Sequence, residues 1–526
     1  MTVQRCLAGC PATPVQSVSG TAPAVGSLPP NSRRRRNGLV LPLAGLAVCL
    51  AASTAMADPW LAPGDLRVRH DIEVLADAGL LRGPVTTWPV SWPDVARDLD
   101  AARSAEPASP AIEAALRRLR QAAGVAARAG WSEAELSVAG ASDPARLRDF
   151  ADTPREQAEA SVGASWLGAR FAGAVHVAIV SDPEDGQSTR LDGSYAGMTV
   201  GNFMISAGYM QRWWGPGWDD SLLLSTNARP MPTLTVERNY TDPSTWPVLR
   251  WFGPWRASIA LGQAEGSDVA VPDTRFLAAR LNFKPRPWLE FGLSRTAQWC
   301  GEGRPCSWST FVDLMLGRDN LSASLTIDQE PGNQMAGYDF RLRSPWRRLP
   351  VTFYGQVIGE DEAGGLPSKF LGNLGAETWG DSALGSWRAR VEYTDTACSF
   401  MRSAPQFNCA YRNGLYPQGY TYRGRIIGAS LDGDGRMYTV AGLVVRPSGD
   451  TYSLALRKVE LNRDAGVDPA HTLSPGGAAE LTNVEFRYET ERSAGRFAVG
   501  LGYDDYSRPA GKSADFRAFL RFARGF

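Results

Sequence analysis

Arg212-Trp213-Trp214-Gly215-Pro216-Gly217-Trp218 is the densest unusual stretch of this 526-residue sequence. Ser221 to Ser225 and Asn227-Ala228-Arg229-Pro230 follow it closely. Indole rings stack on the C–H faces of sugars, while Arg and Asn side chains bond hydroxyls and carboxylates. Arg212, Trp213, Trp214, Trp218, Asn227 and Arg229 are therefore candidate glycan contacts. The competing and favoured expectation is structural: Trp-Trp-Gly-Pro-Gly folds rigidly inward and packs a barrel mouth. A second region, 397–425, interleaves Phe400, Phe407, Tyr411, Tyr416, Tyr420 and Tyr422 with Arg402, Arg412 and Arg423. That mixture suits a polyanionic sugar chain, with Arg402, Tyr411, Arg412, Tyr420 and Arg423 as its contacts. A loop packed on its own rings is the equal alternative.

Signals for catalysis are poor. The sequence holds no G-x-S-x-G, no H-E-x-x-H and no complete P-loop. Gly511-Lys512-Ser513 resembles a P-loop end, but Tyr506 stands where its first Gly belongs, so an outer turn is expected. Asp432-Gly433-Asp434-Gly435 lacks a following acid at calcium-loop spacing and reads as a turn. Only His70, His176 and His471 are available as imidazoles. No cofactor and no metal is expected. The cysteines read differently in two parts of the chain. Cys6, Cys10 and Cys49 fall in the N-terminal stretch, and Cys300, Cys306, Cys398 and Cys409 remain. Neither remaining pair has zinc-ligand spacing, and an oxidising compartment makes 300–306 and 398–409 the natural disulfides.

These residues must be positioned by the elements around them. Residues 1–57 read as a leader. Arg33 to Arg36 form a charged head, Leu39 to Ala52 an apolar run and Ala55-Met56-Ala57 a cleavage site, which would start the mature chain at Asp58. The whole sequence balances 55 Lys+Arg against 55 Asp+Glu. The leader holds five Arg and no acid, so the remainder carries 50 basic and 55 acidic residues. A mildly acidic body without a basic stripe excludes a nucleic-acid partner. No later stretch is long and apolar enough for a helical membrane span. Residues 58–130 read as helical: Leu66 to Leu80, then Trp92 to Leu99 with Ser91 as N-cap, then Ile112, Leu116 and Leu119 on one face.

From Trp131 the apolar period changes to two and persists to residue 526. Phe497, Val499, Leu501 and Tyr503 alternate with Ala498, Gly500 and Gly502. Trp387, Ala389, Val391 and Tyr393 alternate with Arg388, Arg390 and Glu392, and Leu321, Ala323, Leu325 and Ile327 with polar neighbours. Roughly 18 to 20 such segments occur, each about the length a tilted strand needs to cross a bilayer. A soluble sandwich also alternates. Arg and Glu on the polar face, aromatics near strand ends and the absence of a domain break favour a transmembrane β-barrel over 131–526. Phe516, Ala518, Leu520, Phe522 and Phe526 share one face of the last segment and resemble an outer-membrane assembly signal, from which Arg524 departs.

Counting strands backward from Phe526 places 491–495, 447–450, 345–350, 317–320 and 284–287 at the periplasmic rim. It places 462–481, 360–368, 329–335, 297–307 and 265–274 outside. The scheme requires 397–435 to be one external excursion, with 421–431 not crossing by itself. Both expected disulfides then staple outer loops.

Three stretches carry a resemblance: Tyr209–Pro230 (YMQRWWGPGWDDSLLLSTNARP), Asp71–Trp92 with Val85-Thr86-Thr87-Trp88-Pro89, and Tyr420–Gly428 (YTYRGRIIG). Together they resemble the Wzi capsule-assembly family of outer-membrane proteins across most of the mature chain. The resemblance implies an eighteen-stranded antiparallel barrel of a Gram-negative outer membrane. It also implies an N-terminal helical bundle on the periplasmic side, a lumen closed by internal elements and a lectin-like role. The expected partners are a capsular polysaccharide or exopolysaccharide, outer-membrane lipid and, as a further candidate, the polysaccharide export machinery. The expected function is non-enzymatic attachment and organisation of that polymer. The alternative is a porin-like channel for sugars or other polar solutes, since a barrel of this size can hold water. An outer-membrane enzyme is the least supported.

Overall fold

The structure is a computed structural model. It describes residues 58–526 apart from 105, 133, 265–269, 317–331, 347–349, 364–365, 399, 401, 403 and 469. The expected leader at 1–57 and the expected strand Leu321–Ile327 lie outside the described residues.

Three helices precede the barrel: α1 (Leu66–Asp77), α2 (Trp92–Ala101) and α3 (Pro110–Ala126). Each start is explained by its cap. Asp65, Ser91 and Ser109 accept the otherwise orphaned amides of Val68, Asp94 and Ile112, and a proline opens the first turn of α2 and α3. Ser91 caps α2 as its sequence suggests. The helices bury Ile72, Leu75, Leu99, Leu116 and Leu119 against one another, and Arg118 pairs with Asp71 at 2.6 Å to tie α3 to α1.

Among the described residues, eighteen main strands then form one closed antiparallel barrel. They are β1 (Glu135–Ala141), β2 (Ala158–Leu167), β3 (Phe171–Val180), β4 (Tyr195–Val200), β5 (Phe203–Gly208) and β6 (Thr233–Arg238). Next come β7 (Trp255–Gln263), β8 (Arg275–Arg286), β9 (Leu289–Trp299), β10 (Gly332–Arg343), β11 (Val351–Ala363) and β12 (Leu366–Ser382). The last six are β13 (Gly385–Asp395), β14 (Arg436–Val445), β15 (Thr451–Leu461), β16 (Ala479–Arg492), β17 (Gly495–Arg508) and β18 (Gly511–Gly525). β18 closes on β1, with Phe522 opposite Val138. Closure leaves no edge with unpaired amides, which a hydrocarbon layer demands.

Alternation sets what each face meets. On β15, Leu454 and Leu456 are exposed while Ala455 and Arg457 are buried. On β7 and β13, Ile259, Leu261 and Val391 are exposed while Arg256, Arg388 and Arg390 are buried. The charged face is therefore the lumen, and the uncovered apolar face is the lipid belt.

Most connections at the end that carries the helices are short, the 239–254 segment excepted, and most long ones lie opposite. The 396–435 excursion joins paired strands β13 and β14 and, among its described residues, holds only a hairpin of two-residue strands, Thr421–Tyr422 with Arg425–Ile426. It does not cross, as the strand count requires. One part of the count needs correction. β9 pairs directly with β10, so the chain leaves the wall at Trp299 and returns at Gly332 on the same outer side. The expected turn at 317–320 lies outside the described residues. The stretch just before it is a helix, α4 (Trp308–Met315), capped by Ser307. Its Leu314 packs with Leu277, Ala297 and Trp299 at the outer rim.

Candidate functional site

The three stretches that carry the family resemblance meet inside the barrel. Trp213 pairs with Trp88, and Trp214 with Thr87, in a short antiparallel ladder, and the Gly215 amide donates to the Thr86 carbonyl at 3.0 Å. From the other side, the Tyr420 and Tyr411 hydroxyls donate to the carbonyls of Leu223 (2.9 Å) and Leu222 (2.8 Å), and the Asn227 amide donates to Ile426 O at 2.9 Å. The glycines permit this approach. A Cβ on Gly217 would stand 2.2 Å from the Asp220 carbonyl oxygen, and one on Gly428 would stand 2.2 Å from that of Leu222. The 209–232 excursion thus turns inward and is gripped between the N-terminal segment and 411–428.

At its tip, Phe150 packs edge-on against Trp88 and Trp213, with ring centroids 5.1 and 5.5 Å away. The Arg69 guanidinium from α1 lies 4.1 Å above the Trp218 ring and 4.5 Å above Phe150. It donates to the carbonyls of Gly217 (2.9 Å) and Pro216 (2.7 Å). Three different inward segments therefore share one aromatic and cationic centre.

The charged lumen wall is matched to this plug. Arg341 reaches Asp77 at 2.6 Å and Glu377 at 2.9 Å, and Arg388 reaches Glu73 at 2.9 Å. Arg457 bridges Asp149 (2.7 Å), Asp219 (2.6 Å) and Glu485 (3.1 Å), while Arg390 and Arg487 hold Asp219 and Asp149 at 2.9 Å each. Burial alone would raise the Asp149 and Asp219 carboxyls. The surrounding guanidinium groups outweigh it and hold both below the usual range. Asp220 lacks such a partner, and burial pushes its carboxyl well above that range. His70 accepts from the Arg388 guanidinium at 3.2 Å, and His471 Nδ1 accepts the Leu473 and Ser474 amides, so both imidazoles are spent on structure. Beside Arg212 the plug leaves a cavity of only about 40 Å³.

The structure places the sequence-based candidates in two settings. Arg212, Trp213, Trp214, Trp218, Asn227, Tyr411 and Tyr420 are all buried. Protein surrounds each of them inside the barrel, and Asn227 Oδ1 is buried without a hydrogen-bond partner. They are plug residues. Arg229 lies near the outer side and is held by Asp185 and, through two bonds of 2.8 and 2.7 Å, by Asp192. Arg412 is half-buried and pairs with Asp468 at 2.6 Å, which ties 396–435 to the 462–478 loop. Arg402 is exposed, and Arg423 is half-exposed beside Tyr422. Both disulfides form as paired in the sequence, Cys300–Cys306 and Cys398–Cys409. The Tyr416 hydroxyl, donating to Cys300 O at 3.1 Å, joins the two stapled loops.

The outer rim carries a feature that no single stretch announced. An open groove of about 530 Å³ runs between Phe407, the ends of β15 and β16, and the β17–β18 turn. Arg463, Arg508, Glu460 and Glu480 line it, with Arg463 paired to Glu460 at 3.4 Å and Glu480 to Lys458 at 2.7 Å. Arg508 lies 4.0 Å above the Tyr506 ring, and Arg463 lies 5.4 Å above Phe407. Phe407 beside Arg and Glu side chains offers stacking, donors and acceptors together, the combination a hydroxyl-rich chain needs. Arg463 and Arg508 are 45 positions apart in sequence, and strand register brings their hairpin ends together.

The model of the capsule assembly protein Wzi matches residues 127–517. The chain belongs to the Wzi family. An uncharacterised 55.8 kDa protein in the cps region of Klebsiella pneumoniae is 34% identical to this Wzi-family chain over 376 residues, covering 68% of it and 71% of the relative. A solved Escherichia coli structure is similar over 89% of this chain and 99% of its own, with a TM-score of 0.77 and 26% identity. It is described as Wzi, an outer-membrane protein involved in group 1 capsule assembly and a carbohydrate-binding β-barrel. The lipid belt and the family together make this Wzi-family chain an integral β-barrel of the outer membrane.

Proposed function

We propose that this barrel is a non-enzymatic, lectin-like protein that holds and organises capsular polysaccharide or exopolysaccharide at the cell surface. The observation that carries the proposal is the pairing of a filled lumen with an accessible, chemically mixed groove on the outer rim. The carbohydrate binding described for the Escherichia coli relative supports it. Phe407 would stack on a sugar face, and Arg463 and Arg508 would bond hydroxyls or carboxylates, with the exposed Arg402 extending the contact. Outer-membrane lipid surrounds the wall in this reading, and the export machinery is the candidate source of polymer. Each contact would be weak, and a long repeating polymer would multiply it across many copies. A channel is disfavoured by the charge-matched plug, and the imidazoles of His70 and His471 are committed to structure.

Co-sedimentation with the organism's own purified surface polymer tests the proposal. Phe407→Ala with Arg508→Ala is expected to weaken retention by about tenfold, equivalent to ~1.4 kcal/mol, while heat-modifiable barrel migration stays unchanged. In cells, deletion should leave polymer synthesis intact and shift polymer into the medium. Unchanged retention in the double variant would remove the groove, and unchanged retention on deletion would remove the function. We also propose that residues 1–57 are a removed leader. Intact-mass analysis of protein extracted from outer membranes should give a chain beginning at Asp58, and retention of Ala57 or earlier residues would refute that boundary.

A further inference from the structure

The inner turn between β6 and β7, residues 239–254, carries large apolar side chains that the protein leaves uncovered. Trp246 is 71% exposed, Val248 73%, Leu249 45%, Trp251 66% and Phe252 45%. The segment is nonetheless ordered. The Trp255 amide donates to Thr241 O at 3.1 Å, Arg250 N donates to Trp246 O at 2.9 Å, and Leu249–Phe252 form a single 3₁₀ turn. Its base is fixed to the helical plug. Thr241 Oγ1 donates to Asp94 Oδ2 of α2 at 2.7 Å, and Arg97 pairs with Asp242 at 2.8 Å.

The apex lies on the outside of the wall. Phe252 packs edge-on against Phe283 of β8, with ring centroids 5.1 Å apart, and Phe283 in turn lies 6.0 Å from Phe291 of β9. Phe283 alternates with Asn282 and Lys284, whose side chains reach inward to Thr86 and to the Leu81 carbonyl. Phe283 therefore points to lipid, as does Leu281, which is 40% exposed. The chain gets this close because residue 253 is glycine: its φ is +69°, and a Cβ there would stand 2.2 Å from the Lys284 carbonyl oxygen. Neighbouring inner turns carry exposed Trp288 and Trp346 at the same rim.

We infer that residues 246–252 are an interfacial anchor seated in the inner, phospholipid leaflet of the outer membrane. The occupant is lipid rather than a partner protein because the uncovered face is continuous with the lipid-facing wall through Phe283 and Phe291. The composition agrees: Trp246 and Trp251 suit the headgroup boundary, Val248 and Leu249 reach the acyl chains, and the exposed Arg250 meets a lipid phosphate. An apolar face of this kind settles about 5–10 Å into the boundary between headgroups and acyl chains. Because the same turn grips Asp94 and Arg97, the anchor sets the height of α2, and with it the plug, against the leaflet.

Quenching in bilayers tests this. Full-length protein and its Trp246→Phe/Trp251→Phe variant are reconstituted in phosphatidylethanolamine–phosphatidylglycerol vesicles. The lipids carry bromine either near the headgroups or at the ends of the acyl chains. The difference in emission between the two proteins belongs to these two indoles. It should be quenched roughly twofold more by the shallow bromines than by the deep ones and should be little affected by aqueous iodide. Quenching dominated by iodide would overturn the anchor. Since the variant itself can alter folding, a photoactivatable side chain at position 251 of the otherwise wild-type protein gives a second measurement in cells. Phospholipid adducts are expected, and reproducible capture of a periplasmic protein instead would overturn the assignment to lipid.

Discussion

Replacing Arg457 with methionine should unseat the plug and turn a barrel expected to be electrically silent into one that opens in steps. Arg457 is buried on β15 and serves Asp149, Asp219 and Glu485 at once. Methionine fills similar space but leaves three buried carboxylates facing only two guanidinium groups, Arg390 and Arg487. Removing one partner from a buried ion pair costs about 3–5 kcal/mol, because the remaining charge stays desolvated. The strain falls on the plug, since Asp149 and Asp219 belong to the inward loops while Glu485 belongs to the wall. Planar-bilayer conductance and proteolysis of 209–232 would read the result. Adding Asp219→Asn rebalances the charges and should recover part of the loss, as a double-mutant cycle would quantify. A variant as silent and protease-resistant as wild type would show that charge matching does not seat the plug.

The same cluster fixes a pH dependence. Asp149 and Asp219 have carboxyls held below their ordinary value of 3.8 in the folded protein. A depressed carboxylate stabilises the fold above its unfolded pKa, and that contribution is lost as pH falls through the folded value. The contribution of these two carboxylates should therefore be constant around neutrality and be lost only in acid, below about pH 4. Opening near pH 6 would point to some other group.

How much of this was legible in sequence depends on what each signal can encode. The wall was readable because lipid and a polar lumen impose opposite demands on successive residues, as at Leu454, Ala455, Leu456 and Arg457. Strand direction followed from loop lengths, and it correctly made 396–435 one excursion. The cysteines were readable because each pair is local. The helix at 308–315 was missed because eight residues containing Trp308, Phe311, Val312 and Leu314 satisfy neither period cleanly. The direction of the Trp213–Trp218 stretch was ambiguous for a deeper reason. A sugar platform and a dry plug both call for indoles, glycines and Arg. What decides between them is the partner, Thr86–Trp88, which lies more than 120 residues earlier. The groove at Phe407, Arg463 and Arg508 was not seen because it is assembled from separate hairpin ends, none unusual alone. Its neighbourhood was still implied, since the strand count put the 462–481 loop outside and left the β17–β18 turn at the same rim.

Trp218→Ala separates plug from platform most directly. The Trp218 side chain is 1% exposed and stacked beneath Arg69. Its indole N–H donates to Glu377 at 3.0 Å and its amide to Glu392 at 2.9 Å. Alanine keeps the backbone bonds but deletes the ring from a close-packed centre, and such a truncation costs about 3–5 kcal/mol. The loss also strips Arg69 of one of its two aromatic faces. Lower thermal stability, loss of near-ultraviolet ellipticity and intermittent conductance are expected together. Trp218→Phe is the discriminating companion. It restores most of the packing and forfeits a hydrogen bond to a charged acceptor, worth about 1.5–3 kcal/mol, so stability should fall by less and the barrel should stay silent. Because Trp218 reaches no surface, polymer retention by the Phe variant should equal that of wild type. Retention that fell with Trp218→Phe while stability and silence were preserved would mean that the indole meets sugar directly, and the inward-facing account of this stretch would have to be abandoned.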